Sequence, residues 1–154
     1  KSYVIIKNSY SRLNIPIADI SLFLSSLKHL SKKKYFSLFL AKYRGQIIAC
    51  RFILKYKHVV YDYYAADDPR LAIPNGNEFL VWNIISTVSE KHFKVFDFGG
   101  AGDPNVNYGP REFKRSFGGQ LVNYGRFRKN SETLMSKFLL IFLRIYKKIF
   151  KDAN

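Results

Sequence analysis

An acidic residue and two glycines stand together in the segment Phe96-Asp97-Phe98-Gly99-Gly100. A carboxylate among aromatic rings must find hydrogen-bond partners or shift its pKa upward. Asp97 could therefore act as a base, or it could accept hydrogen bonds from the amides of the following loop. Gly99 and Gly100 would let backbone amides approach an anion, but their spacing matches neither common phosphate-binding motif. The pattern favours Asp97, Gly99 and Gly100 as a structural loop.

Cationic and aromatic residues follow in the segment from Tyr108 to Gly118. The planar guanidinium of Arg111 suits a carboxylate or phosphate, and Tyr108 precedes it at the end of the loop. Lys114 could stabilise a developing negative charge, or it could be one of many solvated lysines. Phe113 and Phe117 are four residues apart, and this spacing would let both rings anchor one helical face on a sheet.

Three tyrosines cluster in a β-rich run at Tyr61, Tyr63 and Tyr64. The two-residue alternation of a strand predicts that Tyr61 and Tyr63 share a face and that Tyr64 takes the other. One of these hydroxyls could hydrogen-bond a substrate, although tyrosines also fill half-exposed sheets. Tyr64 is the substrate-binding candidate of this cluster.

Cysteine and histidine usage excludes several kinds of site. The single cysteine, Cys50, excludes an internal disulfide framework and a Cys-rich zinc site. The histidines stand far apart, at His29, His58 and His92, without metal-ligand spacing. We therefore expect no metal, and a reducing compartment such as the cytoplasm.

The elements that would position these residues can be predicted from periodicity. Apolar residues at every third or fourth position predict a helix over Ile15–Ser31, with Pro16 in its first turn. Three β-rich runs then predict an antiparallel meander over Tyr35–Tyr43, Gln46–Lys57 and Val59–Ala66. Arg44-Gly45 is typical of the tight hairpin between the first two.

The second half of the chain alternates helices and strands. The predicted order is a helix over Asn77–Lys91, a buried central strand over Val95–Phe98, a short helix over Pro110–Phe117, a last strand over Gln120–Arg128 and a tail helix over Ser131–Lys151. In the second helix, Trp82 is most simply a core residue. The fold class is α/β of the α+β type: a mixed, mostly antiparallel sheet flanked by helices. Residues 1–130 would form one domain, and residues 131–154 a basic amphipathic helix packed on it or on a missing partner.

Charge indicates which partners to expect. The chain has 154 residues with 26 Lys and Arg against 11 Asp and Glu, a net charge of +15, and this excess would attract a polyanion such as tRNA. In the tail, several cations share one helical arc: Lys137, Arg144, Lys147, Lys148 and Lys151. Such a helix could lie on an anionic membrane surface, but its apolar run is too short to span one.

Several short sequence motifs together resemble those of the FemAB-like branch of the GNAT acyltransferase superfamily, which includes peptidoglycan-bridge aminoacyltransferases. They are Tyr63-Tyr64-Ala65-Ala66, Pro74-Asn75, Leu80, Trp82, Phe96-Asp97-Phe98-Gly99-Gly100 and Phe113-Lys114-Arg115-Ser116-Phe117-Gly118. The likeness extends over roughly Tyr35 to Arg128. Members usually carry two GNAT-like halves, and this chain resembles the second. If the chain is a fragment, an N-terminal half is missing.

The resemblance implies roles for particular residues. The family's Phe-Lys pair matches Phe113-Lys114, so Lys114 would stabilise the oxyanion of acyl transfer, with Phe113 beside the substrate. Tyr64, Tyr108 and Arg111 would complete the substrate-binding surface. No cofactor would be tightly bound, and the co-substrate donor would be an aminoacyl-tRNA or an acyl-CoA.

The loop Asp67–Gly76 bears on the choice of donor. Ordinary acetyl-CoA enzymes of the superfamily carry a basic residue or Gln and spaced glycines there. This chain instead has two acids, two prolines and one glycine, which argues against tight acetyl-CoA binding.

Three functions remain open at this point. The first is FemAB-like transfer of an aminoacyl or acyl group to an amine of a cell-envelope or similar precursor, including a lipid-linked one. The second is CoA-dependent N-acetyl transfer. The third is a non-catalytic basic module that binds nucleic acid or anionic membrane. Each of these functions fits a cytoplasmic protein. Where the function involves lipid, the protein would bind peripherally at the inner membrane surface.

Overall fold

The computed structural model describes residues 1–71, 73–90, 92–125, 138–139 and 141–142. The chain divides into two units, residues 1–120 and 121–154. The elements of the first are α1 (Ser2–Arg12), α2 (Ile20–Leu30), β1 (Phe36–Tyr43), β2 (Gln46–Tyr56), β3 (Val59–Asp67), α3 (Gly76–Ser89), β4 (Val95–Asp97) and α4 (Gly109–Arg115). In the second, residues 121–125 are irregular, and residues 138–139 and 141–142 are helical. The rest of the predicted tail helix, and the predicted division at residue 130, lie outside the described residues.

The meander β1-β2-β3 is antiparallel, as predicted, and β4 joins β3 in parallel. Arg44 and Gly45 have φ values of 47° and 79°. Two consecutive positive φ values are the geometry of a tight hairpin turn that matches strand twist. The mixed, mostly antiparallel sheet flanked by helices is therefore the predicted fold class.

The position of β4 differs from its prediction as a buried central strand. In the sheet of the described residues β4 lies at an edge, and Val95 is 50% exposed. An apolar sequence predicts burial, but it does not show whether a second strand pairs with the other edge of β4. The strand predicted over Gln120–Arg128 is not formed in the described part of the chain: residues 120–125 are in no strand, and residues 126–128 are not described.

Each face of the sheet has its own core. Ala49 and Ile53 of β2 belong to a cluster under α3, whereas Cys50 and Phe52 belong to a cluster under α1 and α2. This division follows from the alternation of side chains along a strand. β2 is thus buried on both faces, and Arg51 falls on the α3 face.

A β-bulge in β3 alters the predicted faces of the tyrosines. Phe52 pairs with Tyr64 and Ile53 pairs with Asp62, so Tyr63 is an extra residue. An extra residue reverses the alternation. Tyr63 and Tyr64 consequently pack on the same cluster under α1 and α2, and the prediction that Tyr64 takes the opposite face was wrong.

The first two helices also differ from the prediction. α1 was not predicted, although it buries Ile5, Ile6 and Ser9. α2 begins at Ile20 rather than Ile15, because the Asp19 side chain accepts a hydrogen bond from Ser21 N at 2.9 Å and caps the helix. Pro16 therefore lies before the helix and not in its first turn.

α3 was predicted with nearly its observed bounds. It buries Leu80, Val81, Ile84 and Val88, but Trp82, predicted as core, is 62% exposed. Within the described part of the chain, no helix combines the length and apolar content needed to span a bilayer.

Candidate active site

β3 and β4 pair over three residues and then separate. The last pair joins Tyr61 to Asp97, yet β3 continues to Asp67. Beyond Tyr61 no described strand lies beside β3 on this side, and residues 62–65 are partly exposed. We call the space between residues 62–67 of β3 and residues 98–101 after β4 the wedge. The facing edges of β3 and of the segment after β4 are therefore not paired with each other beyond Tyr61 and Asp97.

The glycine loop after β4 forms one side of the wedge. Asp97 Oδ1 accepts a hydrogen bond from Gly99 N at 2.7 Å, which is the loop-anchoring one of the two roles considered for Asp97. Gly99 has a φ of 70°, and its Cα faces the Tyr61 ring. A side chain at Gly99 would therefore strain the backbone and crowd Tyr61. A Cβ added at Gly100 would meet no atom within 4 Å, and the Gly100 carbonyl accepts a hydrogen bond from the Lys114 side chain.

Arg111 and Tyr108 hold the same loop from its far end. The Arg111 guanidinium donates to the carbonyls of Ala101 at 3.1 Å, Pro104 at 3.2 Å, Val106 at 2.8 Å and Asp103. Tyr108 packs over Gly102 so closely that an added Cβ would lie 2.8 Å from the ring. In the structure both residues brace the loop, and a substrate anion would have to compete with these carbonyls for Arg111.

Lys114 projects from α4 towards this loop. The helix is short, with Pro110 in its first turn, and the Lys114 amine donates to the Gly100 carbonyl. Lys114 is half-buried rather than free in solvent. Burial lowers the pKa of Lys114; nearby Asp62 opposes that shift, and Arg51 adds to it.

Arg51 and Asp62, beneath the wedge, were missed by the sequence analysis. Arg51 Nη1 contacts Asp62 Oδ2, and the two side chains are 4% and 6% exposed. Arg51 Nη2 also donates to Asn77 Oδ1 at 2.9 Å. Burial is the largest influence on both groups: it lowers the pKa of Arg51 and raises the pKa of Asp62. A charged pair buried beside Lys114 could set the electrostatics of the wedge.

Phenylalanines attach α4 to the sheet. The Phe113 and Phe117 rings lie 5.2 Å apart, and Phe117 lies 6.1 Å from Phe98, which in turn lies 4.8 Å from Phe96. Phe113 also lies under the Arg51 guanidinium, 5.7 Å from it. The anchoring expected for Phe113 and Phe117 is therefore present, and it fixes the helix that carries Lys114.

The structure does not bring Tyr64 to this group. Its ring packs 4.9 Å from Phe23 and 5.5 Å from Tyr10, in the cluster under α1 and α2. Arg51, which donates to Asn77 of α3, and Lys114 near it lie on the α3 side. A substrate at Lys114 would be separated from Tyr64 by the sheet.

An acidic cavity lies where α3 begins. It has a volume of about 250 Å³, and its lining includes Asp67, Asp68 and Glu78. Asp68 pairs with Arg70, whose Nε lies 2.8 Å from Oδ1. A Cβ added at Gly76 would lie 2.8 Å from Ile48 Cδ1, so the Ile48 side chain would have to shift. Asp67 and Glu78 add negative charge beside the Asp68–Arg70 pair, which makes this helix start a poor site for a pyrophosphate.

Neither metal nor thiol chemistry has support in the described residues. Among them, His, Cys, Asp and Glu form no group suited to a metal ion. Cys50 is buried, and burial raises the pKa of its thiol to about 12, so it is a core residue rather than a nucleophile.

Comparison with solved structures shows the fold. An aminoglycoside acetyltransferase from an uncultured soil metagenomic sample, solved with sisomicin, is 17% identical with a TM-score of 0.59, over 83% of this chain and 86% of that one. A ribosomal-protein-alanine N-acetyltransferase from Brucella melitensis biovar Abortus 2308 is 10% identical with a TM-score of 0.56, over 82% and 88%. At these identities the likeness concerns the fold alone.

Comparison with curated proteins finds no match. A family model described as an acetyltransferase (GNAT) domain, however, matches residues 16–115. This range covers most of the first unit, from the approach to α2 to the end of α4, and it includes both the wedge and Lys114. The chain therefore belongs to the GNAT acetyltransferase family.

Proposed function

We propose that this chain transfers an acyl group from an activated donor to an amine, with Lys114 as the residue that stabilises the oxyanion. The observation that carries the proposal is the position of the Lys114 amine, half-buried and bonded to the Gly100 carbonyl beside the wedge. A cation that is held in place and partly removed from water stabilises a developing negative charge better than a fully solvated one.

The reaction would follow the usual course of acyl transfer. The amine nitrogen forms a bond to the carbonyl carbon, and the carbonyl oxygen gains the charge that Lys114 would stabilise. The intermediate then breaks the bond from carbon to the donor's sulfur or oxygen. The leaving group departs with the electron pair, and the proton lost by the amine balances its charge.

The acidic cavity bears on which donor is used. A CoA pyrophosphate near the start of α3 would meet Asp67, Asp68 and Glu78, and like charges repel in such a site. A donor held elsewhere, such as the ester of an aminoacyl-tRNA, would avoid this repulsion. The cavity therefore favours the FemAB-like reaction, with an amine of a cell-envelope precursor as acceptor, and CoA-dependent N-acetyl transfer is the alternative.

A two-donor assay tests the proposal. The protein would be mixed with a panel of amines, including a lipid-linked peptidoglycan precursor, and with either acetyl-CoA or radiolabelled aminoacyl-tRNA. We expect Lys114→Ala to lower kcat about 10²- to 10³-fold, the usual effect of removing an oxyanion donor. Arg115→Ala is the matched control, because it removes an exposed cation from the same helix.

The outcomes separate the three functions. Transfer from aminoacyl-tRNA would support the FemAB-like reaction, and transfer from acetyl-CoA would support the alternative. Unchanged turnover in Lys114→Ala would remove the role of Lys114. No transfer from either donor would contradict the enzyme proposal and favour a non-catalytic basic module.

A further inference from the structure

We infer that Arg51 and Asp62 are positioning residues, which hold α4 and the amine of Lys114 at the point where β3 and β4 separate. Any effect of this pair on catalysis rests on the proposed function of Lys114. Arg51 and Asp62 do not themselves take part in the acyl-transfer step.

Arg51 connects four elements through one guanidinium. From β2 it contacts Asp62 on β3, donates to Asn77 at the start of α3, and lies over Phe113 on α4. A planar guanidinium holds five N–H donors in a fixed fork and can stack on an aromatic ring while it donates in its own plane. Phe113 adjoins Lys114 in sequence, so the placement of Arg51 also fixes where the Lys114 backbone lies.

The pair is nearly closed to solvent, since the Arg51 and Asp62 side chains are only 4% and 6% exposed. Arg51 Nε and Asp62 Oδ1 are buried, and neither has a hydrogen-bond partner among the residues that the structure describes. A buried ion pair with unpaired atoms adds little to stability compared with apolar side chains of the same size. Because both side chains are almost fully buried, the pair would act on the reaction through Lys114.

The charges around the Lys114 amine come from three strands. Asp62 on β3 and Asp97 at the end of β4 favour the ammonium form, whereas Arg51 on β2 disfavours it. Arg51 is itself influenced by Asp67 and Glu78. Removing Asp62 or Arg51 should therefore move the pKa of Lys114 in opposite directions, a result that loss of packing alone would not produce.

An NMR titration of the Lys114 side chain provides the test. The Cε signal of ¹³C-lysine-labelled protein, assigned by its loss in Lys114→Arg, would be followed with pH in wild type, Asp62→Asn and Arg51→Met. We expect a lower pKa for Lys114 in Asp62→Asn and a higher one in Arg51→Met. Glu112→Gln, an exposed change on α4, should leave the titration at the wild-type value.

A double variant keeps the test decisive if a single change prevents folding. Arg51→Met/Asp62→Leu removes both charges together, and because Asp62 has the larger influence on Lys114, its pKa should still fall, by less than in Asp62→Asn. Equal titrations in all variants, or shifts of one sign in both single variants, would overturn the inference. The titration needs no substrate, so a failure of the proposed function would show separately, as absent turnover in the wild type.

Discussion

Asp68 is a buried carboxylate that forms an ion pair with Arg70. Its oxygens accept hydrogen bonds from Arg70 N at 3.1 Å and from Arg70 Nε at 2.8 Å, and Asp68 N donates to Ile48 O at 2.8 Å. The hydrogen bonds from Arg70 lower the pKa of Asp68. The pairing thus stiffens the loop between β3 and α3.

This lowered pKa predicts a pH-dependent contribution to stability. The stabilising contribution of Asp68 is fully present above the unfolded pKa, about 3.9, and is lost as pH falls through the folded value. Asp68→Asn should therefore lower the urea midpoint of unfolding at pH 7, and the difference from wild type should be smaller at pH 3, below the unfolded pKa. Equilibrium urea titrations at both pH values provide the measurement.

An exposed acid at the end of α3 gives the control for this prediction. Glu90→Gln should unfold at the wild-type midpoint at pH 7, because Glu90 is exposed. A deficit in Asp68→Asn that persisted unchanged at pH 3 would show that size or shape, rather than charge, holds the loop.

Residues close in sequence were the predictable part of the site. Asp97 and Gly99 are two residues apart, and the hydrogen bond between them follows from local chemistry. Arg51 and Asp62 lie on neighbouring strands with a bulge between them. Their contact depends on the register between β2 and β3, which a single sequence does not reveal. The role of Lys114 stays a prediction.

At the scale of elements, α3 supplies Leu80, Ile84 and Val88 to the core on its side of the sheet. Ile84 is fully buried, whereas Trp82 on the same helix is 62% exposed. Ile84→Ala should cost about 2–5 kcal/mol of unfolding free energy, because it leaves a cavity. Trp82→Ala should change it by less than about 0.5 kcal/mol, as expected for a surface position.

Chemical denaturation of both variants compares the two sites directly. If Trp82→Ala were as destabilising as Ile84→Ala, Trp82 would be packed as a core residue, contrary to its 62% exposure. Equal m-values in the two variants would indicate that only stability, and not the extent of unfolding, had changed.

The meander and α3 could be predicted because the local preferences of their residues match the strands, turns and helix that they form. Turn residues such as Arg44-Gly45 separate the strands, and apolar residues recur along α3. α1 could not be predicted, since its Val4-Ile5-Ile6 run suggests a strand rather than a helix. Packing of Ile5 and Ile6 in the cluster under α1 and α2 overrides that local preference.

At the scale of the whole molecule, the net charge of +15 predicts salt-dependent binding to polyanions. Raising NaCl from about 50 to 200 mM should weaken tRNA binding by at least about tenfold, because bound counterions are released on association. Fluorescence anisotropy with labelled tRNA over a salt series gives the slope of log Kd against log salt.

Lipid vesicles extend the same measurement to membranes. Binding to vesicles that contain anionic phosphatidylglycerol, lost in neutral phosphatidylcholine, would support a peripheral membrane location. Equal binding to both vesicle types would argue against electrostatic attraction, as would a salt-independent affinity for tRNA.

The burial of Cys50 makes the protein convenient for site-specific labelling. It is the sole cysteine of the chain, it is fully shielded in the fold, and burial raises its pKa to about 12. Thiol reagents react with the thiolate, so the native fold protects this position. A cysteine introduced on the surface would thus carry a fluorophore alone, and slow modification of Cys50 itself would report each opening of the core.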